Sequence, residues 1–382
     1  MALPQGSLFR GEKPCHCESV RRLACQSVLL MLRFFDYLMM NGTSGKRIPT
    51  VASLPRNDIH FFDTLKSTYR TALIPFKSIS IEGRIPMISS AIIFSALELG
   101  CIYALVALAL FLSFRVLNIA DMTTDGVFTL GCAVSATFAV AGHPILGLPA
   151  AMLAGACAGS VTAFLQTKLQ IPSILAGIIT NTGLYTVNLA VMGFSSNVNM
   201  MKAATVFSMV QPIFGKALYK LIPVAILIVC VGILLALFLK TRLGLSIRAT
   251  GDNPDMVRAS SINTGFTITV GLCVSNSLTA LSGAVLAQYQ KTADINLGTG
   301  MVIIGLASLI IGETLLPKGK TWLKILGAVL GSIVYRFIIA IALRMDLPSE
   351  CLKLISATIV ALAIGLPAIK SSLKPATAKG GK

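Results

Sequence analysis

The chain has 382 residues, of which 55% are hydrophobic and 12% are charged. Soluble domains carry about 25% charged residues, so a chain this poor in charge needs an apolar solvent around most of its length. Composition therefore excludes an ordinary soluble protein and predicts a membrane protein. The formal net charge of +17 must then be accounted for by the position of the basic residues along the chain.

Residues 1–86 differ from the remainder because they are mixed in polarity and contain no long apolar run. The best candidate, 28–40, is interrupted by Arg33 and Asp36, whereas a membrane span needs about 20 apolar residues. We therefore predict a poorly defined N-terminal extension. An amphipathic surface helix and a mis-assigned translation start, with Met87 as the natural one, are both open explanations of it.

From Met87 onward, long apolar runs follow one another. They cover 87–114, 117–140, 144–166, 171–192, 220–240, 263–289, 297–314, 322–343 and 351–369. Backbone that faces lipid must satisfy its own hydrogen bonds, so each run is predicted to be helical. We predict an all-α, polytopic helical membrane protein with about eight or nine segments, a transmembrane domain over 87–370 and a basic cytoplasmic tail over 371–382.

Basic residues between the runs predict the orientation. Clusters at 240–258, 318–324 and 370–382 are cytoplasmic under the positive-inside rule. Counting single crossings back from them places 193–219 and Met87 outside and the C-terminus in the cytoplasm. Because the positive charge lies in these loops and not on one continuous face, nucleic-acid binding is not expected.

Two membrane segments open with polar, glycine-containing stretches, 118–126 and 293–300, each followed by small apolar residues. Irregular backbone at membrane depth is tolerated only against protein or a water-filled cavity. We therefore predict broken or re-entrant helices there, with Asp121 and Asp294 at corresponding points of two structural halves. A helix N-terminus at the first stretch can also accept an anionic group.

Charges inside the runs are few and cost about 2.5–3.5 kcal/mol each on insertion scales. Asp121 and Arg336 have an alternative, because they can lie near segment ends and reach the interface, whereas Glu98 and Glu313 are better placed for buried roles. We predict a translocation pathway lined by polar residues of these segments: Glu98, Asn118, Asp121, Thr124, Asp125 and Glu313.

The segment 241–263 contains the sharpest motif. Asp252 or Asn253 can cap a short helix that has Pro254 at its first position. An apolar stripe at helical spacing follows: Met256, Ala259 and Ile262. Such a helix either docks on a partner protein or lies on lipid, and its pattern alone does not separate the two.

This loop resembles the cytoplasmic coupling segment of permease subunits of bacterial ABC importers of the branched-chain amino-acid type. Leu112 to Gly131 resembles the second-helix signature of that group, particularly of its tryptophan/tyrosine-like branch, and Gly305 to Glu313 resembles its late Gly-Leu-Ala…Ile-Gly-Glu run. The resemblance spans about 87–370. Ser261 stands where the family pattern has Gly, which predicts a less sharp turn after the coupling helix.

The resemblance implies a membrane-spanning subunit of an ATP-driven importer for a small solute, an amino acid first and a nucleoside or sugar as the alternative. It also implies an ATPase subunit, an extracytoplasmic solute-binding protein, a second permease copy or paralogue, and surrounding lipid of the bacterial plasma (inner) membrane. The chain is then no enzyme, binds no metal or cofactor, and leaves ATP and Mg to the ATPase. That subunit is expected to contact Arg248, Ala249, Gly251, Asn253, Met256 and Ala259.

A different class also fits the intramembrane charges. An ion-coupled secondary transporter would bind its ion at Glu98, Asp121, Asp125 or Glu313, but it would need no ATPase dock such as the 241–263 loop. A phosphate-binding loop at 314–321 is not expected, because Thr314 stands where that motif needs glycine. A membrane-embedded enzyme lacks a nucleophile–base or metal set.

Overall fold

A computed structural model describes residues 90–316 and 321–343, and these contain eleven α-helices. They are α1 Ser90–Leu110, α2 Thr124–Val140, α3 Pro144–Thr167, α4 Ser173–Val191, α5 Val206–Leu218, α6 Leu221–Phe238, α7 Arg242–Asp252, α8 Pro254–Ala259, α9 Thr264–Gln290, α10 Met301–Leu315 and α11 Thr321–Leu343. A π-helical turn, Phe111–Val116, extends α1. Strands β1, Asn197–Asn199, and β2, Thr292–Asp294, pair antiparallel.

The predicted fold class is confirmed. Within the described ranges, six helices are long and apolar enough to cross a membrane: α1 with its π extension, α3, α4, α6, α9 and α11. Two shorter apolar helices, α2 and α10, follow the two polar stretches that predicted broken helices. The expectations for 1–86, for the ninth run at 351–369 and for the tail at 371–382 lie outside the described residues.

Helix α9 lies at the centre of the bundle, packed against α1, α2 and α3. Small residues permit backbone contact there. A Cβ atom added at Gly131 of α2 would lie 2.0 Å from the carbonyl oxygen of Ala280, and one at Gly155 of α3 would lie 2.5 Å from that of Asn276. Close approach of this kind holds membrane helices together where no hydrophobic drive acts between them.

The bundle has two distinct ends, separated by the 27 residues of α9, or about 40 Å of helix. One end carries the β1–β2 pair, in which Val198 faces Ala293. The other carries α7, α8 and the π-helical turn after α1. There Arg248 Nη1 lies 3.4 Å from the Thr321 hydroxyl at the start of α11. The predicted orientation makes this second end, called here the basic end, cytoplasmic.

Candidate functional site

The first interrupted segment reaches the middle of the bundle through Asp121, which is 1% exposed. Its carboxylate accepts hydrogen bonds from Asn276 Nδ2 at 2.8 Å and from the backbone N–H of Thr123 at 2.9 Å. The Thr123 hydroxyl contacts both Asp121 and the side-chain oxygen of Asn276. Because Asn276 lies halfway along α9, the alternative that Asp121 reaches the interface is wrong.

The second interrupted segment begins against the first. Asp125, in the first turn of α2, accepts hydrogen bonds from the N–H groups of Gly300 and Val302, each at 2.9 Å. The Thr129 hydroxyl accepts a third from Gly298 N–H at 3.1 Å. A carboxylate at a helix N-terminus satisfies unpaired donors and favours the helix dipole. Asp125 therefore caps α10 from a different segment of the chain.

The structure places two other predicted pathway residues, Thr124 and Asn118, in different surroundings. Thr124 is buried, and its hydroxyl lies 3.4 Å from the carbonyl oxygen of Asp121. Asn118 is exposed in a left-handed conformation, with φ of 56°, just beyond the π-helical turn. Thr124, Asp121 and Asp125 thus form one group, called here the crossing, whereas Asn118 turns the chain towards it.

Glu98 and Glu313 lie at opposite ends of the bundle. Glu98 is buried and accepts a 2.8 Å hydrogen bond from the hydroxyl of Tyr289, near the end that carries the strands. Lys220 Nζ lies 4.4 Å from the centre of the Tyr289 ring. Glu313 instead forms a 2.7 Å ion pair with Arg115 at the basic end, so its expected buried role at depth is replaced by a charge pair.

Sequence reasoning missed a row of neutral polar side chains on α9. Ser275 and Ser282 each donate a 2.8 Å hydrogen bond to a backbone carbonyl of α1, namely those of Ala109 and Ile102. Their spacing of seven residues places them on one helix face, with Asn276 beside them. The signal was present in this spacing, but such residues barely change the hydropathy of a long apolar run.

The 241–263 segment forms the predicted short helix. The Asn253 side chain accepts hydrogen bonds from the N–H groups of Asp255 and Met256, both at 3.1 Å, and Pro254 opens α8. Ser261 has φ of 60°. The expectation of a less sharp turn is therefore wrong, because the serine takes the left-handed conformation that glycine would favour.

The predicted coupling residues fall into two groups on α7 and α8. Gly251 faces the bundle, where an added Cβ would lie 2.1 Å from the carbonyl oxygen of Val116. Val257 is buried on the inner side of α8. The remaining predicted residues are exposed at the basic end: Arg248, Ala249, Asn253, Met256 and Ala259. These five predicted residues are accessible to a partner.

Comparison with known proteins places the chain in a family of transport proteins. The chain matches the permease component of the branched-chain amino acid transport system over residues 92–367. This match covers well over half of the chain, so the chain belongs to that permease family. The resemblance found in the three sequence motifs is thereby confirmed.

Individual relatives agree with that family. The chain is 35% identical to the tyrosine transport system permease protein of Clostridioides difficile (strain R20291), over 75% of this chain and 95% of the relative. It is 32% identical to an uncharacterized protein of Rickettsia prowazekii (strain Madrid E), over 73% and 98%. A ribose import permease protein of Haemophilus influenzae is 23% identical over 64% and 75%. No solved structure matches the chain.

Proposed function

We propose that this chain is the membrane-spanning subunit of an ATP-driven importer of an amino acid, with tyrosine as the first candidate. The 35% identity to a tyrosine transport permease over 95% of that protein carries the proposal. The packed bundle supports it, because irregular backbone at depth is the feature with which transporters build a path through a membrane. In this chain that feature is the irregular backbone before α2 and before α10, and the two stretches meet at Asp125.

The motor of such an importer is a separate ATPase subunit, which we place on the exposed faces of α7 and α8. Met256 is 69% exposed on α8 at the basic end, and Ile262, beyond the end of that helix, is 37% exposed. An apolar stripe on a short helix suits a groove on a partner protein. Behind it, Val257 and Gly251 pack on the bundle, so force applied to α8 reaches the π-helical turn after α1.

Transport itself is the direct test. The permease is reconstituted in vesicles with its ATPase and solute-binding protein, and uptake of radiolabelled tyrosine is measured with ATP, without ATP and with an ion gradient alone. We expect uptake with ATP only. Uptake driven by the gradient in the absence of the ATPase would instead support the ion-coupled alternative.

A sugar is the second candidate solute, because ribose import permeases are among the more distant relatives, at 23–24% identity. Labelled ribose in the same vesicles separates the two candidates. ATP-dependent ribose uptake without tyrosine uptake would overturn the assignment to amino acids and leave the importer class intact.

Coupling has its own test at Arg248, which is exposed and lies near Thr321. Arg248→Glu reverses a charge on the proposed ATPase contact, so uptake should fall by about tenfold or more while the protein still inserts. Lys168→Glu reverses an exposed charge outside α7 and α8 and is the matched control. Equal, unchanged uptake in both variants would contradict the docking role of Arg248.

A further inference from the structure

Arg336 is a charged side chain within the membrane helix α11, fifteen residues beyond its first residue, or about 22 Å along the axis. Its Nε atom is buried and has no hydrogen-bond partner among the described residues. An arginine at such depth costs about 2.5–3.5 kcal/mol on insertion scales and ordinarily faces a partner or a cavity. Its position thus requires a compensating interaction.

Three buried or half-buried carboxylates of the described part of the chain already accept hydrogen bonds. Glu98 accepts from Tyr289, Asp125 from the start of α10, and Asp121 from Asn276. Neither ion pair formed within 90–316 and 321–343 includes Arg336. The guanidinium therefore lacks a described anionic partner.

The described contact of Arg336 is with an aromatic ring, and its Nε–H has no hydrogen-bond partner among the described residues. The guanidinium carbon lies 3.6 Å from the centre of the Tyr103 ring, and Tyr103 in turn stacks on Phe128 at 6.2 Å between ring centres. This contact places the guanidinium over the ring, and the Nε–H edge of the planar group stays unpaired within the described residues. That planar edge matches the two oxygens of a carboxylate.

An open cavity of about 330 Å³ between α1 and α11 is lined in part by Arg336. Its volume falls at the lower end of the range of small-molecule sites, about 300–1,000 Å³. Apart from Arg336 and Ser95, its walls are apolar: Ile92, Ala96, Leu99, Ile339 and Ala340. One cationic group and one hydroxyl in an apolar cavity suit a small solute with a carboxylate at one end and an apolar body.

We propose that Arg336 binds the carboxylate of the transported solute, whose side chain enters the apolar cavity between α1 and α11. This assignment rests on the proposed function as an amino-acid importer. The aromatic pair of Tyr103 and Phe128 positions the guanidinium, and Arg336 supplies the charge that a solute needs when it leaves water.

The test uses the permease–ATPase complex without the binding protein, in lipid nanodiscs, so that selection by the binding protein does not enter. Binding of tritiated tyrosine is displaced with two competitors. The compound 3-(4-hydroxyphenyl)propionate keeps the carboxylate and lacks the amine, whereas tyramine keeps the amine and lacks the carboxylate. We expect the acid to compete and tyramine to compete at least about tenfold more weakly.

Variants of Arg336 test whether this side chain is the group that binds the carboxylate. Arg336→Gln should weaken tyrosine binding by about tenfold or more, and Arg336→Lys, which keeps the charge and loses the planar edge, should fall between it and the unaltered protein. Lys168→Gln, which removes an exposed charge at the end of α3, is the matched control and should leave binding unchanged. Basal ATP hydrolysis by each complex checks that the protein is assembled.

The competitor arm needs no variant, so the proposal can fail even if Arg336→Gln does not fold. Equal competition by both compounds, undetectable tyrosine binding at millimolar concentration, or full affinity in Arg336→Gln would each overturn it. ATP-driven uptake of tyrosine by the unaltered importer reports separately on the proposed function. If ATP-driven uptake of tyrosine is observed but both compounds compete equally for binding, the Arg336 assignment is overturned and the proposed function is not.

Discussion

The two interrupted membrane segments reach the interior of the bundle by different means. In the first, the Asp121 carboxylate accepts hydrogen bonds from the Asn276 side chain of α9 and from the Thr123 N–H of its own segment. In the second, the backbone N–H groups at the start of α10 are the donors, and Asp125 from the first segment is the acceptor. The first segment is therefore anchored to the core, and the second is anchored to the first.

Because the second segment depends on the first, replacing Asp125 should lower the stability of the protein more than replacing Asp121. Asp125→Ala removes the acceptor of two N–H groups, and a buried donor left unpaired costs about 1–3 kcal/mol. We expect the free energy of unfolding to fall by about 2–4 kcal/mol and ATP-dependent uptake to be lost. Thermal unfolding in detergent and uptake in vesicles measure the two effects.

Asp125→Asn is the matched control for that change. The amide keeps one acceptor oxygen and loses the charge, so roughly half of the stability loss should remain. A loss in Asp125→Ala no larger than that in Asn118→Ala, at the exposed turn residue, would break the claim that Asp125 holds α10 in place.

A substitution at Gly298 tests the contact between the two interrupted segments by steric means. A Cβ at this position would lie 2.0 Å from the carbonyl oxygen of Asp125 and 2.4 Å from the Thr129 hydroxyl. A backbone carbonyl cannot rotate away as a side chain can, so Gly298→Ala should lower the free energy of unfolding by about 2–3 kcal/mol. Gly183→Ala, where an added Cβ meets nothing within 4 Å, should cause no loss, and equal melting shifts in the two variants would argue against close packing at the crossing.

The first segment is expected to tolerate change better. Asp121→Ala leaves the Thr123 N–H unpaired, but Asn276 Nδ2 keeps its 3.0 Å bond to the carbonyl oxygen of Leu272. The free energy of unfolding should therefore fall by about 1–2 kcal/mol, less than for Asp125→Ala. Side-by-side melting of the two alanine variants decides this order, and the reverse order would show that α9 and not α2 supports the second segment.

Run lengths and glycine positions were enough to predict the apolar membrane helices and both interruptions, because hydropathy and backbone freedom are local properties. Helices α5 and α7 lie between the apolar runs and were not predicted. The cap of Asn253 on α8 was predictable for the same reason. The partner of Asp125 was not, since it is a backbone N–H about 175 residues away and leaves no mark on composition. The pairing of Arg115 with Glu313 and the stacking of Arg336 on Tyr103 likewise depend on which helices become neighbours.

The smallest expected effect lies away from both interruptions, at Ser261 after α8. A non-glycine residue in the left-handed region costs about 1–2 kcal/mol, and glycine recovers part of this while losing chain entropy on folding. Ser261→Gly should therefore raise the free energy of unfolding by at most about 1 kcal/mol, seen as a small rise in melting temperature.

Ser260→Gly is the neighbouring control for Ser261→Gly, because Ser260 has φ of −85° and should gain nothing from the change. Destabilisation by Ser261→Gly would mean that the serine side chain, and not the turn, stabilises this position. If Ser261→Gly raises the free energy of unfolding and leaves uptake unchanged, the turn after α8 can be altered without loss of transport. The crossing, where Asp121 and Asp125 each accept hydrogen bonds from another segment of the chain, leaves less room for such adjustment.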